Sequence, residues 1–120
     1  MTLLTEQTCS ACNANSTEQP LTVSDMSELL VQLKTQFNDW SLIEDKGVGK
    51  LSCEFVTKRY SNSIRFTNQV AALAESVNHH PLIIVEYGMV TVQWWSHNIK
   101  GLHQNDFIMA AKTSALFLEC

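Results

Sequence analysis

Glu75-Ser76-Val77-Asn78-His79-His80-Pro81-Leu82-Ile83-Ile84-Val85-Glu86-Tyr87-Gly88-Met89-Val90-Thr91-Val92-Gln93-Trp94-Trp95-Ser96-His97 is the stretch on which the fold turns. Its first residues close a helix, because Pro81 disfavours a helical conformation in the residue before it. Beyond the proline, Leu82 to Tyr87 and Met89 to Ser96 are two apolar, β-branched runs joined around Gly88, which reads as a pair of adjacent strands. Along the second run Trp95 and His97 share one face by the two-residue period, while Val90, Val92 and Trp94 take the other.

Upstream, Ser61-Asn62-Ser63 opens the helix that this stretch ends, and Phe66, Val70, Leu73, Ala74 and Val77 lie on its apolar stripe. Before it, Trp40 to Glu44 and Lys50 to Thr57 read as two more strands around a loop, Lys46-Gly47-Val48-Gly49. Leu51, Cys53 and Phe55 alternate with Ser52 and Glu54, so one face of that strand is buried and one is wet. A first helix carries Met26, Leu29, Leu30, Leu33 and Phe37, with Asp25 and Glu28 placed like a capping box. Downstream, a last helix from about Asn105 shows Phe107, Ile108, Ala111, Ala115 and Leu118 at helical spacing. The order α-β-β-α-β-β-α predicts an α+β two-layer sandwich, a four-stranded antiparallel sheet with three helices on one face. Residues 1–20 read as a polar, mobile lead-in and residues 21–120 as one domain.

The 120 residues suffice for an ordinary core without metal or disulfide staples. A net charge of -4, with eight Lys and Arg scattered and no basic run, argues against direct nucleic-acid binding. No run approaches the roughly 18 apolar residues of a membrane span. The start, Met1-Thr2-Leu3-Leu4-Thr5-Glu6, lacks the basic flank of a signal peptide, so a cytoplasmic location is expected. Cys9 and Cys12 have C-x-x-C spacing, but Cys53 lies in a strand pattern and Cys120 is far off, so no second pair completes a structural zinc site. A surface or tail role is expected for that pair.

Three of the four histidines, His79, His80 and His97, fall within the deciding stretch. Histidine titrates near neutrality, so such a cluster suggests proton transfer or metal binding. Glu75 precedes His79 by one helical turn, and both it and the negative helix end favour the imidazolium form. His80, extended by Pro81, points elsewhere, and Trp95 beside His97 forms a wall suited to a flat heterocycle. Zinc is the rival, with Glu75 or Asp106 completing three histidines, but adjacent histidines seldom turn to one ion. Asp106 in the first turn of the last helix reads first as a cap for free N–H groups, and His103 as solvent-exposed.

Glu75-x-x-x-His79-His80-Pro81, then Tyr87, His97, Gly101-Leu102 and Asp106, resembles the pterin-4a-carbinolamine dehydratase family, in its bacterial form, over roughly residues 21–117. The resemblance implies a lyase that dehydrates a 4a-hydroxytetrahydropterin to quinonoid dihydropterin plus water, recycling pterin for an aromatic amino-acid hydroxylase. It implies acid/base work by His79 and His97, with His80 holding the pterin and Asn78, Trp95, Ser96 and Asn98 as neighbouring contacts. Glu75, Pro81 and Asp106 are supporting residues, and neither metal nor cofactor is required. Two positions depart from the pattern: His103 stands where a threonine or serine cap is common, and Asn98 where an acid is frequent.

Two other function classes remain open: a protein-interaction module, as dimerisation partners in the family serve, and a small histidine-based metalloprotein. A homo-oligomer, dimer or tetramer, is also expected. Sheet edges invite pairing, and Phe107, Ile108, Leu116, Phe117 and Leu118 exceed what one stripe of a monomer's helix needs.

Overall fold

Alternation builds the sheet, and the computed structural model shows where each alternating face goes. The structure describes residues 4–6, 22–37, 39–97 and 100–119. The elements are helix α1 (Val23–Gln36), strands β1 (Ser41–Asp45) and β2 (Val48–Val56), helix α2 (Tyr60–Val77), strands β3 (Leu82–Val85) and β4 (Met89–Trp94), and helix α3 (Gln104–Glu119). The strands pair antiparallel in the order β1-β2-β4-β3. The α-β-β-α-β-β-α order and the four-stranded sheet are those expected.

In the β2–β4 register, Leu51 sits opposite Trp94, Cys53 opposite Val92 and Phe55 opposite Val90, and all six are buried. Helices α2 and α3 pack on this face and α1 packs on α3. The indole N–H groups of Trp40 and Trp94 donate to Ser114 Oγ (2.8 Å) and Thr113 Oγ1 (3.0 Å), which ties the start of β1 and the end of β4 to neighbouring positions on α3. Phe55, Phe66 and Phe117 meet ring to ring at 4.8–5.2 Å centroid separation, and Trp40 meets Phe55 edge-on at 5.9 Å.

Local chemistry moves several expected boundaries. The first hairpin loop is two residues, not four: Lys46 (φ 52) and Gly47 (φ 81) both take left-handed backbone, as a tight primed turn requires, and Val48 and Gly49 are already strand. Thr22, not the Asp25–Glu28 pair, caps α1, its Oγ1 accepting from the Asp25 N–H at 3.2 Å. Helix α2 starts at Tyr60 with no side-chain cap. Its early polar residues work as tethers instead: Asn62 Nδ2 donates to the Thr57 carbonyl (3.0 Å), and buried Ser63 bonds to Thr57 Oγ1 and the Tyr87 carbonyl. The last two strands are shorter than expected, since Glu86 to Gly88 form the turn and Ser96 makes an isolated bridge to Gly101.

The expected surplus of apolar surface on α3 does not exist. Phe107 and Ile108 are buried, Leu116 and Phe117 pack against the core, and Leu118 alone of the five is exposed, because α1, α2, the sheet and the Leu4–Glu6 turn surround this helix. Leu4 itself is 3% exposed, so part of the segment read as a lead-in docks on the domain. Cys9, Cys12, most of residues 1–20 and Cys120 lie outside the described residues.

Candidate active site

Asn78 determines how the histidines point. It ends α2 in the left-handed region (φ 53, ψ 42), its N–H returning to the carbonyls of Ala74 and Glu75. One left-handed residue takes His79 out of the helical i, i+4 relation to Glu75 and turns it under the sheet. His79 is therefore buried, 8% exposed, stacked on Trp94 at 5.4 Å, with Nε2 2.6 Å from Asp106 Oδ1. Glu75 pairs with the Nε2 of His80 on the surface. The expected Glu75–His79 contact is thus replaced by Glu75–His80, and Asp106 is the carboxylate of His79.

Asp106 is fully buried and, among the described residues, accepts three hydrogen bonds. Beside His79, it takes the Ser96 hydroxyl on Oδ2 (2.8 Å) and the His103 N–H, also on Oδ2 (2.9 Å). The last of these is the helix-start role read from sequence. The other two join the start of α3 to the end of β4 and to the α2–β3 corner. Ser96 has its hydroxyl turned inward to hold this carboxylate. His103 is half-buried rather than exposed, its Nδ1 accepting from the Asn105 N–H at 3.1 Å.

His97 lies on the exposed side of the corner, its ring 4.3 Å from that of Trp95, on the shared face expected. Its Nε2 is 3.2 Å from the His80 carbonyl oxygen. A carbonyl only accepts, so Nε2 of His97 carries the proton. An ionised carboxylate also only accepts, which places a proton on the Nε2 of His79 and of His80. All three rings are fixed through Nε2, and among the described residues Nδ1 is the nitrogen without a protein partner in each.

Asn78 and Pro81 border the corner, exposed and half-buried respectively, and Asn98 lies outside the described residues. Two residues at the site escaped the sequence reading. Trp94 backs the His79 ring, and Lys50 lies with Nζ 4.0 Å over the Trp95 ring. Among the described residues no three His, Cys, Asp or Glu side chains gather as a set of metal ligands.

Comparison with known proteins identifies the family of the chain. The family model described as pterin 4 alpha carbinolamine dehydratase matches residues 19–116. A protein of Syntrophotalea carbinolica, provisionally named pterin-4-alpha-carbinolamine dehydratase, is 45% identical over 97% of this chain and 98% of its own length. One of the same provisional name from Nitrosococcus oceani is 46% identical over 94% of this chain and 95% of its own length. The crystal structure of a transcriptional coactivator/pterin dehydratase from Brucella melitensis superposes with a TM-score of 0.70 at 31% identity, covering 82% of this chain and 98% of that one. Motif, fold and relatives converge, and the chain belongs to the pterin-4a-carbinolamine dehydratase family.

Proposed function

We propose that this chain dehydrates a 4a-hydroxytetrahydropterin to quinonoid dihydropterin and water, with His79 and His97 as the acid/base pair. The observation that carries the reading is the corner itself. Three histidines from the end of α2 and the segment after β4 are each fixed through Nε2, leaving Nδ1 for proton exchange. In the substrate, the lone pair of the ring nitrogen next to C4a forms a C=N bond as the C4a–O bond breaks. One histidine protonates the departing oxygen, and the other takes the ring N–H proton. Atoms and charge balance with no metal, nucleotide or redox cofactor.

His80 holds the pterin, with Asn78, Trp95, Ser96 and Asn98 around it. Trp95 borders the pterin beside the His97 ring it touches, whereas Ser96 acts through Asp106. The physiological setting is tetrahydropterin recycling beside an aromatic amino-acid hydroxylase in the cytoplasm. No helix among the described residues is long and apolar enough to cross a membrane. The protein works as a homo-oligomer, dimer or tetramer. Support for this comes from β3, an edge strand that leaves Leu82 and Ile84 exposed at 42% and 44%.

Stopped-flow dehydration of 4a-hydroxytetrahydropterin tests the activity. His79→Ala and His97→Ala are each expected to slow turnover by roughly tenfold to a thousandfold with the fold intact, in line with general acid–base contributions. Wild-type turnover in either variant would sink the assignment. Loss of activity on chelation, restored by zinc, would install the metalloprotein reading in its place.

A further inference from the structure

Lys50 is 8% exposed, and lysine is seldom buried to that degree without a reason. Among the described residues its ammonium has two contacts: Asp45 Oδ2 at 3.0 Å, and the face of the Trp95 ring at 4.0 Å. Asp45 is half exposed, so the ion pair is a surface-edge one that contributes little to stability. An apolar side chain of the same length would fill this place with less desolvation. The indole under the ammonium is the one in contact with His97 at 4.3 Å. Apart from that contact, His97 is exposed and, among the described residues, fixed by one hydrogen bond, to the His80 carbonyl.

We propose that Lys50 is a positioning residue for His97, acting through the indole of Trp95. The cation fixes the Trp95 ring by attraction to its π face, and the ring sets the plane in which His97 presents Nδ1. The hairpin supports the arrangement: the tight turn at Lys46 and Gly47 brings Asp45 back beside Lys50, so the ammonium is anchored before it reaches the indole. Lys50 does not touch the reacting atoms. Its effect is to narrow the orientations of a proton-transfer group, where small misplacements cost rate rather than binding.

The inference rests on the dehydratase reading, and the test separates the two. Lys50→Met keeps the buried stem and removes the charge. Its kcat is expected to fall about three- to thirtyfold, the span of cation–π contacts from exposed to desolvated, while KM stays at the wild-type value. In NMR spectra the nuclear Overhauser contact between the Trp95 and His97 rings should weaken together with kcat. Lys50→Arg, which can stack on the indole, should restore both. Should Lys50→Met fail to fold, Asp45→Ala at the exposed end of the pair loosens the same ammonium and should reproduce the losses in part. An unchanged kcat, or a ring–ring contact undiminished in Lys50→Met, overturns the proposal, and a lowered melting temperature alone would leave Lys50 purely structural. A wild-type protein without dehydratase activity refutes the function, and the ring–ring contact still decides whether Lys50 holds Trp95.

Discussion

Replacing Asp106 by Asn tests the active-site corner most directly. The carboxylate is 0% exposed and accepts from His79 Nε2, Ser96 Oγ and the His103 N–H at 2.6, 2.8 and 2.9 Å. Asn has the same shape but one acceptor oxygen and one donor group. Its oxygen can keep Ser96 and His103, which both bond to Oδ2, so its NH2 faces His79. Two donors cannot bond, and the imidazole must then move its proton from Nε2 to Nδ1. The nitrogen offered to a substrate becomes a fixed donor instead of a site that takes and returns a proton. Turnover should fall by roughly tenfold to a thousandfold, no further than removal of the His79 ring itself, because the effect acts through that ring. Conversion of one charged hydrogen bond to a weaker neutral one should cost about 1 kcal/mol, or roughly 3–6 °C in Tm for a domain of this size.

The assays are single-turnover dehydration by stopped flow, thermal unfolding, and long-range 1H–15N correlation spectra that report which His79 nitrogen carries hydrogen. In the wild type Nε2 should be the protonated one when the ring is neutral. Asp106→Asn should show the proton on Nδ1. If the variant turns over at the wild-type rate, or loses rate with the tautomer unchanged, the argument that Asp106 sets the chemistry of His79 is refuted. Asp106→Ala is the harsher change, because it leaves three donors facing one cavity, and unfolding alone would account for its inactivity.

Burial pushes the Cys53 thiol up to about 12, with Asp39 and Glu54 adding to the rise. An unfolded thiol ionises from about pH 8.5, so folding stability is complete below that pH and falls as pH rises toward 12, by at most about 1.4 kcal/mol per pH unit from this group. Denaturant titrations should show that slope in the wild type and a smaller one in Cys53→Ala, and a thiol reagent at pH 8 should reach Cys53 only after unfolding. Ile84→Lys on the edge strand should leave the fold intact and shift light scattering toward the 13.5 kDa monomer, whereas an unchanged oligomer would remove β3 from the interface. Asn78→Ala, at φ 53, should cost about 1 kcal/mol of backbone strain and reduce turnover by displacing His79, while Asn78→Gly should restore both; equal turnover in the two would break the link between cap and histidine.

The parts of this protein legible in its sequence are those governed by neighbours a few residues apart. The alternation of Leu51, Cys53 and Phe55, and the shared face of Trp95 and His97, follow from the strand period and recur in the structure. The end of α2 ahead of Pro81 follows from local sterics. The site was legible as a set of residue types and far less so as a set of partnerships. Glu75 and His79 have the spacing of a helical pair, but one left-handed residue at Asn78 turns the ring away and gives it to a carboxylate 27 positions on. The surplus of apolar residues on α3 likewise suggests an interface, until the fold surrounds that helix on several sides.

Lys50 shows why such partnerships stay hidden. In the sequence it is one polar residue at the start of a strand, and its meaning depends on Trp95, which the β2–β4 register brings alongside. Register places residues far apart in sequence side by side, and each such meeting is fixed by the whole sheet rather than by any local rule. The two histidines assigned to acid/base work differ accordingly in how they are held. His79 is held by a buried carboxylate with two further donors, and His97 by an indole, a carbonyl and a cation at one remove. Truncation around His79 should therefore cost stability and rate together, whereas truncation around His97 should cost rate with little loss of stability. That contrast is a property of the two environments, and comparing Asp106→Asn with Lys50→Met under one set of conditions measures it.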